Sequence, residues 1–144
     1  MNIQNLSGLE IMLEMCDGNI PMPTMATTIP MTAHSVEAGQ VIFLVQADEH
    51  HLNPMGGVHG GFAATALDSV TGCAVFSMLE AGVSYTTIDL NVKMCRPVPM
   101  YKELKAIGKT INISKSLGIA EGHLIDADGK LYAYATATCM IFRP

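Results

Sequence analysis

A long segment with one charged side chain does most to limit the folds open to this chain. Between Met55 and Leu79 the only formal charge at pH 7 is Asp68, and apolar residues recur on all sides of a helical projection. A helix of this kind has to be buried on several sides. The sequence therefore predicts one long central helix from about His59 to Glu80, ended by Gly82, with a carboxylate where burial is costly.

A glycine-rich stretch, Asn53-Pro-Met-Gly-Gly-Val-His59-Gly60-Gly61, leads into this helix. Glycines allow close approach of a backbone to a ligand, and a helix that begins there presents unpaired N–H groups. These features predict a site for a carbonyl or an anion. On composition alone, the glycines could equally form a plain loop-to-helix turn, and Asp68 could be hydrogen-bonded internally.

Length and charge exclude several classes of protein. A chain of 144 residues fits one domain, residues 1–144. The net charge of −5, with scattered Lys and Arg, gives no basic stripe for nucleic acid. A membrane-spanning helix is disfavoured because Asp68 lies near the centre of the only candidate segment. The first residues lack a charged and then apolar leader, so we expect a cytoplasmic protein.

Neither metal nor redox chemistry is predicted. No C-x-x-C spacing occurs, and we expect reduced, buried thiols at the four cysteines, Cys16, Cys73, Cys95 and Cys139. His50 and His51 stand beside Asp48 and Glu49, but adjacent residues on a solvated loop rarely share one ion. Cys73 has no basic partner at helical spacing, so it is not expected to be a nucleophile. Serine-hydrolase G-x-S-x-G and nucleotide-binding P-loop motifs are absent from the sequence.

A short helix and two extended segments are predicted before the glycine-rich stretch. Ser7 and Glu10 match a capping box, so a short helix should follow and end at Gly18. The segment from Thr24 to Val36 should be extended, with its proline at an edge or bulge. A strand over 40–47 and a loop over 48–54 complete this part.

Four strands are predicted after the central helix. Residues 85–94 alternate with period two, and the core face is expected to carry Thr86, Ile88, Leu90, Val92 and Met94. Three more strands are expected at about 101–114, 117–126 and 130–142. The last two are joined by the turn Asp126-Ala-Asp128-Gly129. Six strands joined by short antiparallel connections can therefore surround one buried helix.

The spaced residues Asn53, His59-Gly60-Gly61, Asp68 and Thr87-Ile-Asp-Leu-Asn91 resemble those of a known family. The family is that of the hot-dog-fold acyl-CoA thioesterases, specifically the phenylacetate-pathway (PaaI-like) type. The resemblance covers residues 22–142. It implies an α+β fold in which a curved six-stranded antiparallel sheet wraps one long central helix. It also implies a homodimer formed edge to edge, a dimer of dimers, and an acyl- or aroyl-CoA substrate with no further cofactor.

The spacing of Gly60 and Asp68 agrees with a dimeric site. Eight residues of helix separate them by about 12 Å, so one carbonyl cannot touch both. An antiparallel helix of a second copy would bring its Asp68 opposite Gly60. We expect small residues on the Asp68 face, namely Gly61, Ala64, Thr65, Thr71, Gly72 and Val75. The opposite face, with Phe62, Ala63, Ala66, Val70 and Cys73, should pack on the sheet.

The resemblance implies thioester hydrolysis with a definite division of roles. The Gly60 amide would stabilise the oxyanion, with Asn53 as a second donor. Asp68 of the partner would activate water or attack the carbonyl, and the sequence leaves both routes open. Thr87 would orient the water, while His59 would fix the loop.

Substrate contacts are predicted from further residues. We expect Gly61, Thr65 and Met55 to contact the substrate, and cations to meet the phosphates of coenzyme A. The candidate cations are Arg96, Lys93 and Lys115, and the acyl pocket should include Met22, Met25 and Met55. Two other functions remain open, a hot-dog hydratase or dehydratase and a non-catalytic acyl-CoA sensor. Sensors of this fold usually carry an added DNA-binding segment, for which the first 20 residues are too few and too uncharged.

Overall fold

Six antiparallel strands and three α-helices make up the structure of residues 2–144, which is a computed structural model. A single 3-10 turn, Ile3–Asn5, precedes them. The helices are α1 (Gly8–Cys16), α2 (Met25–Thr28) and α3 (Gly60–Phe76). The strands are β1 (Met31–Glu37), β2 (Gln40–Gln46), β3 (Ser84–Met94), β4 (Glu103–Ile113), β5 (Leu117–Ile125) and β6 (Leu131–Phe142).

One sheet wraps the long helix. Its strand order is β1-β2-β4-β5-β6-β3, all neighbours are antiparallel, and β1 and β3 form the two edges. Helix α3 packs on one face of this sheet and contacts every strand from β2 to β6. At Gly108 of β4 an added Cβ would lie 2.0 Å from the carbonyl oxygen of Val70, so only glycine permits this close packing. The predicted hot-dog architecture is confirmed.

Helix α3 ends earlier than the sequence predicts, at Phe76 instead of Glu80. The Ser77 hydroxyl donates to the Ala74 carbonyl and accepts from the Gly39 amide, at 2.7 and 2.8 Å. The Leu79 carbonyl accepts from the amide of Gly8, the first residue of α1. Because the Gly39 and Gly8 amides bond Ser77 and Leu79 from other parts of the chain, the backbone leaves the α-helical path before Gly82 is reached.

The sheet covers more of α3 than predicted. Thr71, Gly72 and Val75 were expected on the face open to a second copy, but all three are buried. Cys73, expected to pack on the sheet, is only half-buried and faces a cavity. Two strands cover these residues, because Gly118 and Gly122 of β5 lie against Val75 and Thr71, and Tyr85 of β3 lies against Gly72. The face left partly open carries Gly61, Ala64, Thr65, Asp68 and Ser69.

A β-bulge divides β3 into two halves with opposite alternation. The pairing of β3 with β6 shifts between Thr87 and Asp89, which places Ile88 on the outside with 53% exposure. Leu90 and Val92 face the core as predicted. In the first half the prediction is wrong, since Tyr85 and Thr87 face inward while Thr86 is exposed.

Two further expectations need correction. The segment predicted to be extended from Thr24 contains one helical turn, closed by the Ile29 amide on the Met25 carbonyl, before β1 begins. The cysteines are free, but only Cys139 is fully buried. Cys16 and Cys95 are exposed, since Cys16 is the last residue of α1 and Cys95 comes directly after β3. The capping box of α1 is present as predicted. None of the helices within residues 2–144 is long and apolar enough to cross a membrane.

The turn between β5 and β6 is fixed by a buried carboxylate. Asp126 is 4% exposed, and its Oδ1 accepts from the amides of Asp128 and Lys130. Its Oδ2 accepts from Lys102 Nζ and the Tyr132 hydroxyl, both at 3.2 Å. These bonds, that of the Lys130 amide most of all, lower the pKa of Asp126 to about 2.

We expect this carboxylate to make the fold sensitive to acid. Because the folded pKa lies below the ordinary value of 3.8, its contribution to stability is present above that value and is lost as the pH falls through about 2. Asp126→Asn should lower the melting temperature at pH 7 by about 5 °C, and the difference from the unchanged protein should shrink toward pH 2. Asp128→Asn, at an exposed position of the same turn, is the control and should melt like the unchanged protein. A pH-independent difference for Asp126→Asn would contradict this assignment.

Candidate active site

The start of α3 presents an unpaired amide. His59 is the N-cap, and its Nδ1 accepts from the Gly61 amide at 2.7 Å while its carbonyl accepts from the Phe62 amide. A Cβ at Gly61 would lie 2.8 Å from His59 Nδ1, so this cap requires glycine. Within residues 2–144 the Gly60 N–H has no hydrogen-bond acceptor. It points out of the positive end of a 17-residue helix, where a developing negative charge is stabilised.

The loop before α3 is tied together by Asn53. The side-chain Oδ1 of Asn53 accepts from the backbone amides of Met55 and Gly57, at 2.9 and 3.2 Å. The backbone N–H of Asn53 donates to the Gly57 carbonyl. The His59 amide donates to the His51 carbonyl, which joins this loop to the helix start. The Asn53 Nδ2 makes no hydrogen bond to any residue in the range 2–144, so it is free to donate to a ligand.

A cleft of about 330 Å³ opens at the start of α3. Its wall consists of Val58, His59, Gly60, Ala63, Met94, Cys95, Arg96, Pro97 and Val98. Arg96 is anchored there because its Nη1 donates to the Leu131 carbonyl at 2.6 Å. Lys115 lies in the β4–β5 turn, at the opposite end of the sheet from Met94 and Gly60. Of these two cations, only Arg96 lies beside Gly60 in the same protomer.

Asp68 faces a second, separate cavity of about 310 Å³. Thr87, Tyr85 and Ser69 share this wall with Asp68, because the first half of β3 turns Tyr85 and Thr87 inward. The rest of the wall comes from α1, the segment around α2, β1, β2 and the next turn of α3. It comprises Met12, Met15, Cys16, Met22, Pro23, Met25, Ala26, Met31, Thr32, Ala33, Val36, Phe43, Gly72 and Cys73.

The Asp68 carboxylate is left without a partner in this apolar setting. Its Oδ1 is buried and has no hydrogen bond within residues 2–144. Buried polar atoms are rarely left unsatisfied, so this oxygen is a strong acceptor for a water or substrate group. Burial, and secondarily the charge of Asp68, raises the pKa of the Cys73 thiol to about 12. Burial likewise raises the pKa of Tyr85. Both groups are therefore protonated, and neither competes with Asp68 as a nucleophile.

One protomer does not bring Gly60 and Asp68 together. They lie about two helical turns apart, roughly 12 Å along α3, and they line different cavities. The Thr65 hydroxyl lies between them and donates to the Gly61 carbonyl at 2.8 Å. Met55 is 95% exposed and lines neither cavity, so its predicted place in the acyl pocket is not found in the protomer.

Sequence reasoning did not anticipate Tyr85 or Ser69 at the site. Tyr85 lies against Gly72, where an added Cβ would be 3.1 Å from the ring, and against Phe76, with ring centroids 5.3 Å apart. The sequence signal for Tyr85 was Gly72, one helical turn after Asp68, since a glycine there leaves room for a large side chain. Ser69 carried no signal beyond its position next to Asp68.

The exposed loop after β2 holds three potential ligand groups, Asp48, Glu49 and His50, within 4.8 Å of one another. The Asp48 carboxylate already accepts from the amide and Nδ1 of His50, and Glu49 accepts from the Tyr101 hydroxyl. These hydrogen bonds explain why the three side chains lie close together.

Comparison with known proteins gives consistent matches. The profile of the Thioesterase superfamily matches residues 55–133, a range that includes Gly60, Asp68 and Thr87. Acyl-coenzyme A thioesterase 13 of Homo sapiens is 28% identical over 109 residues, 75% of this chain and 77% of that protein.

Solved structures agree in fold. A phenylacetic acid degradation-related protein of Ralstonia eutropha JMP134 superposes with a TM-score of 0.81 and 35% identity, covering 89% of this chain and 97% of that one. The PaaI protein of the E. coli phenylacetic acid degradation operon superposes with a TM-score of 0.80 at 15% identity, covering 91% and 93% of the two chains.

Proposed function

Because this chain belongs to the thioesterase superfamily, as its motifs predict, we propose that it hydrolyses acyl- or aroyl-CoA thioesters to the free acid and CoA. The observation that carries the proposal is the unpartnered carboxylate oxygen of Asp68, buried in a ligand-sized apolar cavity beside Thr87. The name of the relative acyl-coenzyme A thioesterase 13 supports coenzyme A as the thiol half of the substrate.

The reactive centre combines two copies of the chain. Since one copy holds the Gly60 amide and the Asp68 carboxylate in separate cavities, a complete site needs the Gly60 of one protomer opposite the Asp68 of the other. Apart from Asp68, the partly open face of α3 carries no side chain larger than that of threonine. Two such helices can therefore approach closely. A two-fold axis between antiparallel helices then creates two identical sites.

The chemistry follows from these positions. The thioester oxygen accepts from the Gly60 N–H, with the Asn53 Nδ2 as the second donor, and the charge that develops on it is stabilised by the helix end. As a general base, Asp68 of the partner takes a proton from a water oriented by Thr87, the water oxygen forms the new C–O bond, and the C–S bond breaks as the CoA thiolate takes up that proton. As a nucleophile, Asp68 itself forms the C–O bond, the C–S bond breaks to give a mixed anhydride and the CoA thiolate, and water oriented by Thr87 then cleaves the anhydride, which frees the acid and Asp68 while the thiolate takes up the proton released from water.

The two cavities suggest how the substrate is divided. Of the two cavities, only the Gly60 cleft is lined by a cationic side chain, that of Arg96. Arg96 is therefore placed to contact a phosphate of coenzyme A. The acyl group then extends toward Asp68. Lys115, at the opposite end of the sheet, would contact a phosphate only from another subunit, whereas Lys93 adjoins Met94 of this cleft.

Release of free thiol from a panel of acyl- and aroyl-CoA esters tests this function. Thioester hydrolysis should yield one thiol per substrate consumed. A sensor would bind the esters without releasing thiol, and a hydratase would change the acyl chain while the CoA ester stays intact. Either of these results with the purified protein would overturn the proposal.

A further inference from the structure

The Asp68 cavity has two chemically different ends. Its polar side chains gather at the reacting end, where Ser69 adjoins Asp68 and both Tyr85 and Thr87 project from the first half of β3. Asp68 is the only charged side chain in the wall. The far end is formed by α1, the α2 segment and the start of β1.

That far end is lined almost entirely by carbon and sulfur atoms. Five methionines contribute to it, Met12, Met15, Met22, Met25 and Met31, together with Ala33 and Phe43. Thr32 supplies the one side-chain hydroxyl at this end, and it is exposed to solvent. Methionine side chains are flexible and polarisable, so such a wall adapts to apolar groups of varied shape. It offers no buried partner to a polar substituent.

We infer that this cavity holds the acyl group and selects an unsubstituted hydrocarbon acid of medium length, an inference that rests on the proposed function. The cavity volume of about 310 Å³ lies at the lower end of the range for small-molecule sites. Short acyl groups leave the methionine wall uncovered, and long ones exceed the space. Each methylene that enters the cavity should raise kcat/KM by about fourfold until the wall is filled.

A polar group at the far end of the acyl chain is selected against. A hydroxyl placed among the methionines would lose its water without gaining a hydrogen bond. Hydrophobic pockets reject an added hydroxyl by up to about 100-fold. We therefore expect an ω-hydroxyacyl-CoA to have a kcat/KM at least about tenfold below that of its unsubstituted counterpart of equal length.

Steady-state kinetics with straight-chain acyl-CoAs from acetyl to hexadecanoyl, and with octanoyl and 8-hydroxyoctanoyl as a matched pair, test the inference. A rise to an optimum at intermediate length and discrimination against the hydroxyl are expected. Hydrolysis with a flat length profile, or equal rates for the matched pair, would overturn it while leaving the proposed function intact. No thiol release from any ester would instead refute the proposed function.

Variants at the far end of the Asp68 cavity test whether the acyl group binds there. Ala33→Phe should fill this end and lower kcat/KM for octanoyl-CoA at least about tenfold, with acetyl-CoA hydrolysis changed less than about twofold. His34→Phe, at the exposed neighbouring position of β1, is the matched control and should leave the profile unchanged. Met15→Ala, which keeps the propensity of α1, should move the optimum to longer chains. Thermal melting of each variant verifies folding, and an unmoved length profile in folded Ala33→Phe and Met15→Ala would overturn the assignment.

Discussion

Asp68→Asn is expected to lower kcat for acyl-CoA hydrolysis by about 10³-fold or more, because the amide cannot accept the proton of water or attack the carbonyl. The shape of the side chain is preserved, and Arg96, which we propose meets a coenzyme A phosphate, lines the other cavity. KM should therefore change far less than kcat. Thiol release under saturating substrate measures the effect.

Two controls separate chemistry from folding for this change. The melting temperature of Asp68→Asn should stay within a few degrees of the unchanged protein, since the buried Oδ1 makes no hydrogen bond that could be lost. Asp89→Asn removes an exposed carboxylate two residues after Thr87 and should leave kcat unchanged. If folded Asp68→Asn retains more than about one tenth of the activity, the carboxylate does not carry the reaction.

Gly60→Pro is expected to lower kcat by about 10²- to 10³-fold, the usual effect of losing one oxyanion donor. Proline has no N–H, yet it suits the first position of a helix, which Gly60 occupies in α3. The preceding residue, His59, already has the extended conformation that precedes proline, with φ −63° and ψ 136°. The substitution therefore removes the amide hydrogen with little change to the helix.

Gly60→Ala is the matched control because it keeps the N–H. Its Cβ would meet only the end of the Met94 side chain, at 3.4 Å. Activity within about threefold of the unchanged protein is expected, since a flexible methionine can move aside. Equal losses in the alanine and proline variants would show that bulk at Gly60 matters and that its amide does not.

The sequence predicted the elements whose signals are local. The Ser7 and Glu10 capping box, the turn with Gly129 at positive φ and the apolar run of α3 with its single charge each depend on neighbouring residues, and all are present. The resemblance drawn from the spaced motif residues is confirmed at the level of the family.

The errors arise where distant parts of the chain decide the structure. Alternation along β3 cannot reveal a bulge at Ile88, which depends on pairing with β6 and which turns Tyr85 and Thr87 inward. Likewise, the end of α3 depends on a bond from the Gly39 amide to Ser77. Met22 and Met25, two of the three methionines expected in an acyl pocket, do line the Asp68 cavity, but the other methionines of its wall come from α1 and β1 and were not predicted.

The roles assigned to Gly60, Asn53, His59, Asp68 and Thr87 stay predictions, and so does the dimer that joins them. The structure supports a shared site by placing Gly60 and Asp68 of one chain in different cavities. The family resemblance implied the same dimer, and the sequence spacing agreed with it because eight residues on a helix fix the distance between Gly60 and Asp68.

Heterodimers of Asp68→Asn and Gly60→Pro chains, isolated by two different affinity tags, test the shared site most directly. Such a heterodimer has one site with both defects and one with neither, so it should recover about half of the unchanged dimer's activity. Each parent homodimer, by contrast, should stay nearly inactive. Activity of the heterodimer no higher than that of its parents would contradict the pairing of Gly60 from one chain with Asp68 from the other.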